Sequence, residues 1–188
     1  MIDAGKVAVL LLAAGKSERF GADKLLARLD GIPIGLHAAR RLAALGASRR
    51  IAICRDGSPL IASFSSLEFE IIVNRAPDRG LSSSLALGAE RAQALGAHGL
   101  LIGLADMPFV SGHHLASLLS AFDETAAPIV ASDRGGIAMP PALFGAAHFG
   151  ELQRLNGDKG ARELLVGASC VAAGPHELAD IDRPEDLP

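Results

Sequence analysis

Leu12 to Lys24, LAAGKSERFGADK, is the stretch on which the reading of this chain turns. An unbroken apolar run, Val7 to Leu12, leads into it and has the length and composition of a buried strand. The chain then turns through Ala13, Ala14 and Gly15. Small side chains there let the backbone approach a ligand and face its N–H groups toward a phosphate oxygen. Lys16, Arg19 and Lys24 add positive charge within a short span. Strand, small-residue turn and basic side chains together predict a site for the phosphates of a nucleotide. An ordinary glycine turn flanked by solvated charges is the plainer alternative.

Two common phosphate loops are excluded. The P-loop spacing G-x-x-x-x-G-K-[ST] fails because Gly15 and Gly21 are too far apart and Lys24 does not follow Gly21 directly. The dinucleotide pattern G-x-G-x-x-G fails because Ser17 stands where its second glycine belongs. What fits is L-A-A-G-x-S-x-R-x-G-x-x-K, which resembles the signature loop of nucleotidyltransferases with a nucleoside-triphosphate-transferase fold.

The rest of the composition agrees with a small-molecule site. The 188 residues suit one domain with a sizeable core, and 49% of them are hydrophobic, which excludes a disordered chain. A net charge of −3 argues against a nucleic-acid surface. The two cysteines, Cys54 and Cys170, form no C-x-x-C pair, so neither a disulfide framework nor a zinc site is expected. Both lie in apolar surroundings and read as buried structural thiols. The N-terminal residues lack the charged region of a signal peptide, and the run from Val7 to Ala14 is too short to span a bilayer. A cytoplasmic protein with no membrane partner is the expectation.

Along the chain, Pro33 suits the first turn of a helix whose apolar positions continue to Leu45 before Gly46. Ile51 to Cys54 and Glu70 to Asn74 read as strands. A loop then carries Arg75, Asp78, Arg79 and Gly80, and a helix begins near Ser82. Ser82, Ser83 and Ser84 offer hydroxyls and free N–H groups to an acceptor, although capping alone would also use them. Gly99 to Leu104 is a buried strand ending in Ala105-Asp106-Met107-Pro108. A carboxylate at the C-terminal end of such a strand lies where open α/β sheets bind ligands, so Asp106 is placed to hold a divalent cation beside a triphosphate. His113 and His114 open a further helix and read as solvated. Pro128 to Ser132 reads as a strand, 137–144 as an extended segment, Phe149 to Leu155 as a helix, and 157–165 as another. Asp180 and Asp182, two apart in an extended segment, point to opposite sides, so at most one faces a given metal. Strands alternating with helices predict a mostly parallel sheet with helices on both faces.

Four stretches then agree in order: LAAGKSERFGADK, GLSSSL at 80–85, LADMPFV at 104–110, and LNGDKGAR at 155–162 with DIDRPEDL at 180–187. Together they resemble the molybdenum cofactor nucleotidyltransferases, and more closely the cytidylyltransferase branch. The guanylyltransferase branch usually carries LAGG where this chain has Leu12-Ala13-Ala14-Gly15. The resemblance implies a single-domain, Rossmann-like α/β nucleotidyltransferase fold over 1–188, with a nucleotide half at about 1–110 and an acceptor half at about 111–188. It implies transfer of CMP from CTP to the phosphate of molybdenum cofactor, with Mg2+ or Mn2+ as the metal. A molybdenum hydroxylase or its chaperone is the further partner it suggests.

The site residues follow from the same resemblance. Leu12, Ala13, Ala14, Gly15, Ser17, Arg19 and Lys24 would hold the triphosphate, with Lys24, Arg19 and Asp106 catalytic. Asp106 would be the main metal ligand and Asp182 or Asp180 the second. Asn74, Arg79, Gly80, Ser82, Ser83 and Ser84 would lie near base and ribose. Asp158, Lys159 and Arg162 would lie toward the acceptor. One departure stands out: relatives often show a G-H-P-like turn where this chain has Gly136 to Pro141 without histidine. GMP transfer from GTP, nucleotidyl transfer to another small phosphate, and a non-catalytic nucleotide or cofactor carrier are the rival readings. A dehydrogenase is a poor fit without the glycine fingerprint.

Overall fold

Every side chain of Val7–Ala13 is buried, and this strand, β1, is the axis of the molecule. The computed structural model describes residues 2–15, 20, 23–157 and 160–187. Alternation along β1 explains why helices are needed on both sides. Val7, Val9 and Leu11 join one apolar cluster, and Ala8, Leu10 and Leu12 join the other. A strand apolar on both faces is stable only when both are covered.

Around β1 the chain builds a seven-stranded sheet. After the short pair β2 (Arg28–Leu29) and β3 (Ile32–Pro33) come α1 (Ile34–Ala43), β4 (Arg49–Arg55), α2 (Ile61–Ser66) and β5 (Glu70–Asn74). The chain continues with α3 (Leu81–Ala94), β6 (Gly99–Leu104), α4 (Gly112–Ala121), β7 (Ile129–Asp133), β8 (Ala138–Gly145), α5 (Phe149–Arg154) and β9 (Ser169–Ala172). The order across the sheet is β5-β4-β1-β6-β8-β7-β9, with β8 antiparallel to both of its neighbours. Its direction comes from a tight turn: Gly136 N–H donates to the Asp133 carboxylate at 2.8 Å, and Gly135 and Gly136 take positive φ. Such a turn returns the chain antiparallel to the strand it left.

Helices α1, α2 and α4 pack on the first cluster, through Ile34, Leu42, Phe64, Leu115 and Leu118. Helices α3 and α5 cover the second, through Leu85, Ala89, Phe149 and Leu152. Gly88 lets α3 settle onto β1, because a Cβ there would stand 2.6 Å from Leu10 Cδ1. No helix among the described residues is long and apolar enough to cross a membrane.

The α/β class, the mostly parallel sheet and the two helical layers match expectation, and four local readings need correction. Pro33 belongs to β3, paired with Arg28, so helix α1 starts one residue later than expected. Among the described residues of 157–165, the expected helix is reduced to a single 3-10 turn, Arg162–Leu165. Gly157 and Gly160 both take positive φ, which interrupts helical propagation. Cys170 is exposed, because β9 is an outer strand of the sheet, whereas Cys54 is buried. Burial pushes the Cys54 thiol up to about 11, as befits a packing residue. His113 and His114 part company: His113 is exposed, while His114 is buried with Nε2 2.8 Å from the Ser132 hydroxyl.

Candidate active site

β1 and β6 run side by side, Leu12 opposite Leu104, and end together. The strand order reverses here. From β1 the sheet grows through β4 and β5 on one side and through β6 on the other, which opens a crevice at the carboxyl ends. Ala105 N–H donates to Leu12 O at 3.1 Å, so the loops after the two strands leave the sheet as a tied pair. The beginning of α3 closes the crevice from one side. The result is a cavity of about 530 Å³ whose lining includes Ala14, Gly15, Lys24, Asp78, Ser84 and Asp106. That volume lies in the range of small-molecule sites.

Lys24 reaches the cavity from a 3-10 turn, Lys24–Leu26, held at three points. Asp23 accepts from Leu25 N–H at 3.3 Å and pairs with Arg55 at the end of β4. Leu25 is buried against α1 at Gly35, where a Cβ would approach Leu25 Cβ to 3.3 Å and Leu60 Cδ1 to 2.8 Å. Ile34 N–H donates to Ala27 O at 2.9 Å. Thus anchored, Lys24 Nζ stands 2.7 Å from Asp106 Oδ2 and 2.7 Å from Asp182 Oδ1. Burial by itself would lower the Lys24 pKa; the adjoining carboxylates, Asp106 foremost and then Asp182, outweigh it and hold the ammonium above its ordinary value. The side chain is therefore charged at neutral pH.

Asp182 arrives from the far end of the chain. Ile181 N–H donates to Asp106 O at 3.0 Å, and Ile181 and Leu178 are both buried. One backbone bond and two apolar anchors thus bring residue 182 to the crevice. Asp180 lies elsewhere. It lines a second, smaller pocket together with Arg162, apart from the Lys24 cluster.

The serines at the start of α3 are engaged in bracing. Asn74 Nδ2 donates to Ser83 Oγ at 2.8 Å and to Ser84 Oγ at 2.9 Å, and Asn74 Oδ1 accepts from Ala76 N–H at 2.9 Å. Ser83 Oγ donates to Gly80 O at 2.8 Å. Ser82 Oγ donates to Arg79 O at 3.4 Å. Asn74 therefore fixes the loop and the helix end that wall the cavity.

Of the residues singled out from sequence, Leu12, Ala13, Ala14, Gly15, Lys24, Gly80, Ser84 and Asp106 converge on the cavity, with Asp182 joined through Lys24. Asn74, Arg79, Ser82 and Ser83 are outside its described lining, and Arg162 and Asp180 line the second pocket. Ser17, Arg19, Asp158 and Lys159, with Lys16, lie outside the described residues. Sequence reasoning gave no role to Pro77, Asp78 or Leu81, which also line the cavity. The signal for Asp78 was its place in the loop just before Gly80 and the helix.

Asp106 and Asp182 both approach one cationic head group, so their oxygens form a pair suited to a positive charge. Hard carboxylate oxygens fit Mg2+ or Mn2+. No third His, Cys, Asp or Glu completes a metal cluster among the described residues. That donor set suits an ion held by one or two carboxylates plus substrate phosphates.

The chain is similar to known proteins in both sequence and fold. Residues 9–172 match the family described as the MobA-like NTP transferase domain. The chain is 32% identical to the purine catabolism protein PucB of Bacillus subtilis, over 94% of this chain and 92% of that protein. It is 28% identical to the molybdenum cofactor guanylyltransferase of Rhodobacter capsulatus, over 97% and 93% of the two chains. Among solved structures, Rv0371c from Mycobacterium tuberculosis superposes with a TM-score of 0.79 at 24% identity, covering 96% of this chain and 94% of that one. A manganese complex of the same mycobacterial protein superposes with a TM-score of 0.74 at 21% identity, over 96% and 95% of the two chains. With a match spanning most of its length and a crevice of the expected form, this chain belongs to the MobA-like NTP transferase family.

Proposed function

We propose that the protein transfers CMP from CTP to the phosphate of molybdenum cofactor, releasing pyrophosphate and forming molybdopterin cytosine dinucleotide cofactor. The observation that carries the transfer chemistry is the Lys24–Asp106–Asp182 cluster at the mouth of a cavity walled by Ala13, Ala14 and Gly15. An acceptor phosphate is already a nucleophile at neutral pH, so no strong general base is required. Its oxygen attacks the α-phosphorus in line. One phosphorus–oxygen bond forms as the bond to the departing pyrophosphate breaks, and pyrophosphate keeps the electron pair.

The protein's work is positioning and charge neutralisation. Backbone N–H groups of Ala13 to Gly15 face the triphosphate, helped by Ser17 and Arg19. Lys24 turns from its carboxylate partners to phosphate oxygens, and Ser84 and Asp78 flank the nucleoside. Asp106 and Asp182 would hold a Mg2+ or Mn2+ ion, which when bound supplies positive charge to the phosphates. In this reading residues 1–110 serve the nucleotide, and residues 111–188, with Arg162, Asp158 and Lys159, serve the acceptor.

Two features support CTP. Ala14 lines the cavity where a glycine would leave more room for a purine. The relative named for purine catabolism also fits a cofactor destined for hydroxylases of the xanthine dehydrogenase type, since xanthine is a purine. The Rhodobacter capsulatus relative, named a guanylyltransferase, favours GMP transfer from GTP as the second reading. Pyrophosphate release with molybdenum cofactor and each of CTP, GTP, ATP and UTP tests both. Release with CTP alone supports the proposal, and release with GTP alone transfers it to the guanylyl branch. Binding of a nucleotide without release from any of the four overturns the transfer reading.

A further inference from the structure

Beside the nucleotide cavity lies a second pocket of about 160 Å³. Its walls are apolar, with Met107, Met139, Pro140 and Phe144 prominent, and its charged lining residues are Asp180 and Arg162. Both are exposed, so they stand where the pocket opens. Its volume is well under the ~300 Å³ of sites that take drug-sized ligands, so it admits one planar ring system and not a whole nucleotide. The two spaces share Leu12, Leu81 and Leu104 as a common wall. A ligand in the small pocket is thus a neighbour of whatever occupies the cavity at Lys24 and Asp106, as an acceptor must be for transfer.

We infer that this pocket binds the fused ring of the acceptor, and that Asp180 selects it by pairing with the adjacent N–H and amino donors of a 2-amino-4-oxopyrimidine edge. The inference rests on the reading of the acceptor as a pterin. A carboxylate is acceptor-only and presents two oxygens side by side, so it matches an edge with two neighbouring donors. The apolar walls cover the faces of the ring, while its donor edge meets the carboxylate at the opening. The thioethers of Met107 and Met139 give a flat heteroaromatic ring an adaptable, polarisable surface. Arg162 offers N–H donors to an oxygen of the same ligand. Asp180 thereby takes a role separate from that of Asp182, although the two are only two residues apart: Asp182 meets Lys24, and Asp180 heads the ring pocket.

Guanine carries the same donor edge, so the test must separate it from a pterin. The probes are 6-hydroxymethylpterin and 6-hydroxymethyllumazine, which replaces the 2-amino donor by an oxygen acceptor. The chain has no Trp and no Tyr, so ligand fluorescence can be titrated against a dark protein. Wild type should bind the pterin at least tenfold more tightly than the lumazine. Asp180→Asn should reverse the order, because an amide accepts from the ring N–H and donates to the 2-oxo group. A reversal also shows that the variant is folded. Met139→Ala should weaken both ligands and preserve the preference.

Equal affinities in wild type, or an unchanged preference in Asp180→Asn, would overturn the inference. Displacement of the pterin by GTP but not by CTP would overturn it too, by giving the pocket to guanine. These outcomes are independent of pyrophosphate release. Transfer without pterin preference leaves the nucleotidyl reading standing alone, and a pterin switch without transfer leaves the ring pocket standing alone.

Discussion

Replacing Lys24 by methionine keeps the apolar stem and removes the charge that separates Asp106 from Asp182. Each carboxylate has an oxygen 2.7 Å from Nζ, so the two oxygens cannot be more than two such bonds apart. At roughly 5 Å and an effective dielectric of ~20, two like charges repel by about 3 kcal/mol. The Lys24 side chain is only 11% exposed, but those of Asp106 and Asp182 are 23% and 41% exposed, so solvent screens part of the repulsion. About 1–2 kcal/mol of stability should be lost at pH 7.

Adding Asp182→Asn to Lys24→Met should recover at least half of the lost stability, because it removes one of the two like charges. Urea midpoints at constant slope, read at pH 7, measure these differences. An unchanged midpoint in Lys24→Met, or no recovery in the double variant, would refute the argument. In the transfer assay Lys24→Met should lose at least tenfold in rate or triphosphate affinity, about 1.4 kcal/mol.

Three further expectations follow. Asp106→Ala should abolish nucleotidyl transfer while leaving the circular dichroism spectrum intact; normal turnover would remove the metal assignment. Gly88→Ala should cost about 1–3 kcal/mol by overpacking, because the new methyl meets Leu10 at 2.6 Å from Cδ1, and Leu10→Ala in the same chain should relieve part of it in denaturant melts. His114 has a lowered pKa, chiefly through burial and with His113 adding to it against the opposing charge of Glu177. The unfolded state then takes up a proton near ~6.5 that the folded state refuses, so stability should fall as pH drops below that value. His114→Gln should flatten this slope between pH 7.5 and 5.5, and an identical slope in the variant would contradict the account.

Much of the crevice at the ends of β1 and β6 was legible from the chain alone, because its information is local. The apolar run into LAAG, and the second run into Ala105 and Asp106, are each encoded within a few residues by burial and small side chains. Helical spacing from Ile34 to Leu45 likewise predicted α1, since an amphipathic pattern needs no knowledge of its partner. The alternation of strands and helices was enough to predict a mostly parallel sheet with two helical layers.

What lay beyond reach were features created by contacts between distant segments. Lys24 and Asp182 are separated by 158 positions, and no local pattern says that Ile181 will bond to Asp106 or that Leu178 will be buried. The same holds for Asp180. Its spacing from Asp182 predicted opposite sides, but only the folded chain assigns one side to Lys24 and the other to an apolar pocket built from four separate elements and the segments between them. His114 read as solvated because a His-His pair opening a helix is more often solvated than metal-bound, yet packing against β7 buried it beside Ser132. Cys170 read as buried because its neighbours are apolar, yet its strand stands at the sheet's edge. Local sequence determines which backbone a segment favours and which of its faces is apolar. Which face meets which partner is a balance of burial and chain entropy over the whole molecule, and that balance the tertiary structure alone decides.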